Sequence, residues 1–518
     1  MRVTFYDCGS PYLGIQYLLR VCKDHGHEVS LFYDNSFTHD HLAQDFFFRG
    51  FLSLSTEQIC REIMKPQPQV VCFSMFTNSY QSNLEILRML KNEYPEVIII
   101  CGGVHTTLLP KVVLENKEVD FAVVGEAERS LPELLNALTK AALSEVKVAS
   151  CQALPGVWNR INGGIVERGL SPIVHNLDEI PFPEKGLHVR VNPALSGVYT
   201  MVASRGCFFK CTFCDMPALN QRYRDYHETL HRVRSVDNVM AEIHQAIELF
   251  GPHHVEFYDD CFGAKRSWLR EFCRRYKSEV GLPFGIQTSP RLHDTAILDL
   301  LADAGMQFVE YGMQAVNPEV RNSLLDRHET NQEVLDMVHH ARKRGMFVEL
   351  DLIMNLPGET LEHVEEAIAF VQNARPHWVN LSFLQYLPCT TIVDVAREKR
   401  ILTDEDVNRL ERGQLISSFR LLSKSNLTPR YRILPYQIVF AFAFSKRISP
   451  YLIKLVNLPG LRMFFSSLAS YFIYVSRAFI GFVDRRDIFL RRQVIRGWYG
   501  ARWILRKKFA LRSNAEAP

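Results

Sequence analysis

The sequence predicts an α/β protein in three parts: a doubly wound sheet of the Rossmann or flavodoxin-like kind, a partial (β/α)6 barrel, and a mostly helical C-terminal region. Three observations predict it. Short, nearly continuous apolar runs alternate with amphipathic stretches from residue 1 to about 140. A second series of the same kind starts at Val198, and strand signals stop after about residue 400. Apolar strands separated by helices are the pattern of parallel sheets covered on both faces. A chain of 518 residues also exceeds one ordinary domain. The expected divisions are 1–140, a linker at 141–195, 196–400 and 401–518.

In the first part, Val3–Tyr6, Val29–Tyr33, Val70–Phe73, Val97–Cys101 and Phe121–Val124 read as buried strands. Between two of them, Ser82–Glu93 reads as a helix with Leu84, Leu87 and Leu90 on one face. The aromatic segment from about 35 to 55 fits neither pattern. Pro155, Pro172, Pro181 and Pro183 break residues 141–195, which therefore read as irregular chain. In the second series, strands are expected at Val198–Ala203, Val255–Tyr258, Phe284–Thr288, Phe308–Tyr311, Phe347–Ile353 and Trp378–Leu384. Helices are expected between them, among them Val236–Leu249 and Asn331–Arg344, so six βα units follow one another.

Hydrophobic residues make up 47% and charged residues 23%, the balance of a folded globular protein. A net formal charge of +3 gives no case for nucleic acid as a partner. The apolar run before Asp7 is too short for a signal peptide, so a cytoplasmic location with reduced cysteines is expected. Most of the 12 cysteines are scattered in apolar settings, such as Cys72 and Cys101, and read as small buried hydrophobes.

Only Cys207, Cys211 and Cys214 cluster, as C-x3-C-x2-C after the first strand of the second series. Barrel-like folds place their chemistry at that strand end. Three thiolates on one loop can each bind one iron of a 4Fe–4S cluster and leave the fourth iron open. Structural zinc is the competing reading. It closes with four ligands and favours paired C-x2-C knuckles, and only one such pair is present.

This motif, with Phe213 just before the last cysteine, resembles the signature of the radical S-adenosylmethionine (SAM) superfamily. The resemblance implies that the open iron chelates SAM, whose one-electron reduction releases a 5′-deoxyadenosyl radical. It also implies a one-electron donor such as flavodoxin or ferredoxin. Further segments are similar to the family's strand ends: Tyr258-Asp259-Asp260, Ser289-Pro290-Arg291, Tyr311-Gly312-Met313-Gln314 and Asn355-Leu356-Pro357-Gly358-Glu359-Thr360. They imply SAM contacts at Asp259, Asp260, Ser289, Arg291 and Gln314. Taken alone, Asp259 and Asp260 also suit a helix cap, and Pro357-Gly358 suits a turn.

In the first part, Cys101-Gly102-Gly103-Val104-His105 and Gly125-Glu126-Ala127-Glu128 are similar to the N-terminal domain of cobalamin (B12)-binding radical SAM proteins. Paired glycines after a buried strand let backbone pass close to a flat ligand. The resemblance implies cobalamin contacts at Ser74, Gly102, Gly103, His105, Gly125 and Glu126. One departure stands out. Many B12 domains carry Asp-x-His-x-x-Gly after the first strand, and here the loop reads Asp7-Cys8-Gly9-Ser10, without the cobalt-ligating histidine. His105 is a candidate substitute, and a satisfied loop histidine is its blander reading.

Residues 433–483 are apolar but interrupted by Lys446, Arg447, Lys454, Arg462 and Arg477, too often for a spanning helix. A basic, aromatic stretch from Arg485 to Lys508 follows, including Trp498 and Trp503. Packing on the catalytic core, or a dimer contact, is the bland reading of this region; peripheral contact with an anionic membrane face, and with it a lipid-like small-molecule substrate, is the other.

The function these resemblances imply is cobalamin-dependent methyl transfer to an unactivated carbon. One SAM methylates the reduced cobalamin, a second yields the radical, and the substrate radical takes the methyl group. The alternatives are a cyclase, rearrangement or oxidative enzyme without methyl transfer, and, more remotely, a non-catalytic metal-stabilised binding protein. No residue stands out in the sequence as a catalytic acid or base.

Overall fold

The structure, a computed structural model, describes residues 1–34, 53–141, 154–414, 440, 449–458, 499 and 501–504. The unassigned aromatic segment falls almost wholly outside them.

Five parallel strands open the chain: β1 (Arg2–Cys8), β2 (Glu28–Asp34), β3 (Val70–Ser74), β4 (Ile98–Gly102) and β5 (Phe121–Val123). Their spatial order is β2-β1-β3-β4-β5, a doubly wound sheet. Successive side chains point to opposite faces, and both faces are covered. Val70 and Cys72 pack with Leu131 and Leu134 on one side, while Val71 and Phe73 pack with Ile59, Leu84 and Leu87 on the other. That is why these strands are apolar throughout.

The expected linker is partly sheet. β6 (Val157–Ile161) and β7 (Gly164–Val166) form a hairpin that pairs antiparallel with β5. Asn162 and Gly163 turn it with φ of 52° and 82°, the left-handed pair that a two-residue hairpin turn requires. The surrounding prolines obscured this Asn-Gly signal.

The second sheet starts at β8 (Val198–Met201). Two short strands, β9 (Ser204–Arg205) and β10 (Arg232–Val233), form a side ribbon. Then come β11 (His254–Phe257), β12 (Phe284–Thr288), β13 (Met306–Gln314), β14 (Phe347–Met354) and β15 (Trp378–Phe383). The order β8-β11-β12-β13-β14-β15 is wholly parallel and open, the partial (β/α)6 barrel. Val255, Phe257, Ile286, Val309, Tyr311, Leu350 and Leu352 face the surrounding helices. The alternate residues Thr200, Glu256, Gln287, Glu310, Glu349 and Asp351 make the opposite face polar. Gly285 makes room there, because a Cβ at that position would stand 2.3 Å from the Glu256 carboxylate.

Helix starts follow their caps. Thr330 and Glu333 close a capping box at the helix Asn331–Lys343, and Thr360 caps Leu361–Ala374. Late residues reach both domains. Phe440, Leu452 and Ile453 pack on the outer core of the barrel, and the Trp503 ring lies 6.2 Å from that of Phe32. Among the described residues, no helix is long and apolar enough to cross a membrane. The stretches on which the membrane expectation rests lie almost wholly outside the described residues.

Candidate active site

Gly206, with φ of 84°, turns the chain out of β9 into the three-cysteine loop. A Cβ there would press to 2.6 Å on the Leu230 backbone, so the turn needs glycine. The loop is tied down along its length. The Asn220 amide donates to Cys207 O (2.6 Å), Thr212 Oγ1 donates to Leu324 O (2.6 Å), and the Cys214 N–H donates to Cys211 O (3.2 Å). Immediately afterwards the helix Met216–Arg224 begins, and the Met216 N–H points at Cys214 Sγ (3.5 Å).

Two further side chains meet these sulfurs. Cys261 Sγ lies 3.4 Å from Cys207 Sγ. Arg327 Nη1 lies 3.6 Å from Cys211 Sγ, and its other nitrogens donate to Ser289 Oγ (3.1 Å), Gly312 O and Glu329 Oε1 (2.7 Å). The hydrogen bond from Cys261 holds the Cys207 thiol below its ordinary range, whereas burial raises Cys211 and Cys214.

The strand ends expected to meet SAM divide into two groups. Ser289 and Arg291 join the loop: Ser289 through Arg327, and Arg291 by laying its guanidinium 4.8 Å from the centre of the Phe209 ring. Asp260 faces a cavity beside the loop, and burial raises its carboxyl. Asp259 does not. Its buried carboxylate accepts from Ala203 N (2.9 Å) and Ser204 Oγ (2.5 Å), which fixes the end of β8, and burial raises it to about 7. Gln314 sits on a bulge of β13 with φ of 69° and borders a crevice of only about 10 Å³ beside Glu359 and His363. The Asn355–Thr360 loop closes on itself, since Glu359 accepts from the Leu356 N–H (3.3 Å) and the Asn355 N–H.

The cavity measures about 350 Å³ and lies between the carboxyl ends of both sheets. Ser74, Gly102, Gly103, Gly125 and Glu126 border it from the first domain. Ser204, Arg205, Gly206, Tyr258 and Asp260 border it from the second. Its depth is apolar, with Phe5, Ile15, Leu18, Ile100 and Leu131. At Gly103, φ of 92°, a Cβ would stand 2.8 Å from Ser74 Oγ and 2.9 Å from Met75 O. Glu126 is clamped by Arg232, with a contact of 3.0 Å from Nη1, and Arg205 reaches Glu128 at 2.6 Å. Burial pushes the Glu126 carboxyl up, but Arg205 and Arg232 overcome this and hold it low.

His105 is absent from the cavity lining, which corrects its candidacy as a ligand there. It is 1% exposed, its Nδ1 pairs with Thr77 Oγ1 (3.0 Å), and its ring packs 4.3 Å from that of Tyr80. Burial lowers it to about 4. Asp7, in the loop that lacks the usual histidine, is engaged by His188 Nε2 (2.7 Å) from the helix Gly186–Val191.

Two family profiles match the chain: the B12 binding domain over residues 4–135 and the Radical SAM superfamily over residues 201–371. This chain is a radical SAM protein with a B12-binding domain. An uncharacterized methyltransferase of Pyrococcus horikoshii is 26% identical over 76% of this chain and 80% of its own. The cytidylyl-2-hydroxyethylphosphonate methyltransferase of Streptomyces wedmorensis is 26% identical over 71% and 74%. The anaerobic magnesium-protoporphyrin IX monomethyl ester cyclase of Rubrivivax gelatinosus is 25% identical over 67% and 56%. In fold, the chain is similar to the radical SAM methyltransferase TsrM from Kitasatospora setae, with a TM-score of 0.58 and 16% identity over 77% of this chain and 78% of that one.

The residues of this radical SAM protein fit both cofactors. A tetrahedral zinc would draw its thiolates to about 3.8 Å from one another, given metal–sulfur bonds of about 2.3 Å. Among the described residues, the only metal-type group converging within 4.8 Å is Glu310, Glu349 and Asp351, not the cysteines. The spread thiols, each met by a hydrogen-bond donor, suit a cluster. The glycine-edged, apolar cavity suits a flat heterocycle, and among the described residues no histidine lines it. Sequence reasoning missed Cys261, Arg327, Arg205 and Arg232. Cys261 stood one residue after Asp260 and was legible as a strand-end cysteine. Arg327 belongs to no motif and reaches the loop only through the fold.

Proposed function

We propose that this protein is a cobalamin-dependent radical SAM methyltransferase acting on an unactivated carbon of a small molecule. The supporting observation is a cavity bordered by strand ends of both domains, which brings the glycine edge of the first together with Asp260 and with Ser204, Arg205 and Gly206, where the second domain's chain enters the cysteine loop. When bound, the cluster supplies one electron to SAM and cobalamin supplies methyl-transfer chemistry. The chain's own residues position these partners. Cys207, Cys211 and Cys214 hold the cluster, and Ser289, Arg291 and Asp260 stand at the strand ends beside it for SAM. Ser74, Gly102, Gly103 and Gly125 let backbone approach the corrinoid.

The test is anaerobic turnover by protein purified with its corrinoid. Methyl transfer yields S-adenosylhomocysteine together with 5′-deoxyadenosine, and a product heavier by one CH2 unit. Deoxyadenosine without S-adenosylhomocysteine, and a product that has lost hydrogen, would overturn it in favour of the cyclase or oxidative reading, which the relative from Rubrivivax gelatinosus also favours. A lipid-like substrate met at an anionic membrane face is the finer proposal. It rests on the apolar and basic composition of residues 433–508.

A further inference from the structure

We infer that Cys261 is a positioning residue for the cluster, donating its S–H to the Cys207 thiolate and so making the cluster easier to reduce. Each thiol of the loop meets a donor from beyond the loop, and each of these donors comes from a different element. Cys261 follows β11, Arg327 follows β13, and the Met216 N–H opens the next helix, at 3.4, 3.6 and 3.5 Å from Cys207, Cys211 and Cys214. Cys261 is 1% exposed. Its neighbour Phe262 is anchored 4.7 Å from the Phe257 ring in the barrel core, so the thiol is held rather than free to swing.

The spacing also decides against a fourth ligand. A cubane places each thiolate on its own iron. At 3.4 Å the two sulfurs are closer even than the roughly 3.8 Å that two thiolates span on one tetrahedral ion. Cys261 is therefore placed as a donor to a ligating sulfur. Such a hydrogen bond withdraws negative charge from the cluster and favours the reduced state, which carries one more electron. Arg327 acts on Cys211 in the same direction, its positive charge partly offset by the Glu329 carboxylate paired with it. Because SAM is cleaved only after an electron arrives, these donors bear on the first step of the reaction.

This inference rests on the cluster reading above. The test uses full-length protein reconstituted without oxygen with iron and sulfide, as wild type, Cys261→Ala and Cys261→Ser. Iron and sulfide are counted, and the midpoint potential is followed by electron paramagnetic resonance during a redox titration. Both variants are expected to hold wild-type iron and sulfide. The midpoint moves negative in Cys261→Ala and less so in Cys261→Ser, whose O–H still donates. An unmoved midpoint in Cys261→Ala overturns the inference, as does loss of iron from that variant, which would make Cys261 a ligand. A wild-type protein that assembles no cluster would overturn the radical SAM reading itself.

Discussion

His105 keeps its proton off because its surroundings exclude water. Its ordinary value is 6.5 and burial lowers it to about 4. In the unfolded chain the same imidazole takes up a proton near pH 6.5, so the stability it contributes is complete above that pH and is lost as pH falls towards 4. A shift of this size corresponds to at most about 3 kcal/mol. His105→Gln removes the titration while keeping a polar group for Thr77. Urea unfolding of both proteins is expected to show wild type ahead at pH 7.5 and the gap narrowing towards pH 4.5. A gap that stays constant would mean that His105 is charged or solvated in the folded protein. Asp259 illustrates the same lesson for site assignment. An acidic residue at a strand end is recognisable from its motif, but which of two adjacent carboxylates turns to the backbone depends on the neighbouring strand. Here Ala203 N and Ser204 Oγ claim Asp259 and leave Asp260 to the cavity.

At the scale of elements, the β9–β10 ribbon joins the two domains. It presents Arg205 and Arg232 to Glu126 and Glu128, on the loop after β5. Arg232 and Glu126 are nearly buried, with side-chain exposures of 8% and 17%. Losing Arg232 leaves Glu126 only the longer 3.6 Å contact with Arg205, so a part of the roughly 3 kcal/mol or more that a broken buried pair costs is expected. Arg232→Met is therefore expected to lower the thermal midpoint by several degrees. Joining it with Glu126→Leu restores much of the loss, because no charge is then left unpaired. Equal midpoints for Arg232→Met and wild type would show that the pair is effectively solvated. The hairpin of β6 and β7 shows the limit of composition at this scale. Four prolines marked 141–195 as irregular, although Asn162-Gly163 already encoded the turn.

Across the whole molecule, the carboxyl ends of the two sheets border one cavity, which brings Gly102, Gly103 and Gly125 together with Arg205, Gly206 and Asp260. The late part of the chain touches both units, through Phe440 on the barrel and Trp503 on the first sheet. Its basic, aromatic composition predicts that full-length protein sediments with anionic vesicles, less at high salt, and not with zwitterionic ones. Protein that stays in the supernatant with both kinds of vesicle removes the membrane proposal and leaves core packing as the role of this region.

The sequence by itself determined the three-part architecture, ten of the strands in the two main sheets to within a few residues and an eleventh, β13, in its core, and the three-cysteine loop. These are local properties: apolar periodicity, turn chemistry and the spacing of thiols along a few residues. Only the tertiary structure decided which side chains surround the sulfurs and which turn away. Arg327 lies far along the chain from Cys211, and Cys261 far from Cys207; the parallel strands bring their ends together at one edge. His105 was withdrawn from the cavity by the packing of Tyr80 and Thr77, contacts that no spacing encodes. Strand formation depends on near neighbours in sequence, whereas the surroundings of a cofactor depend on which strands become neighbours in space.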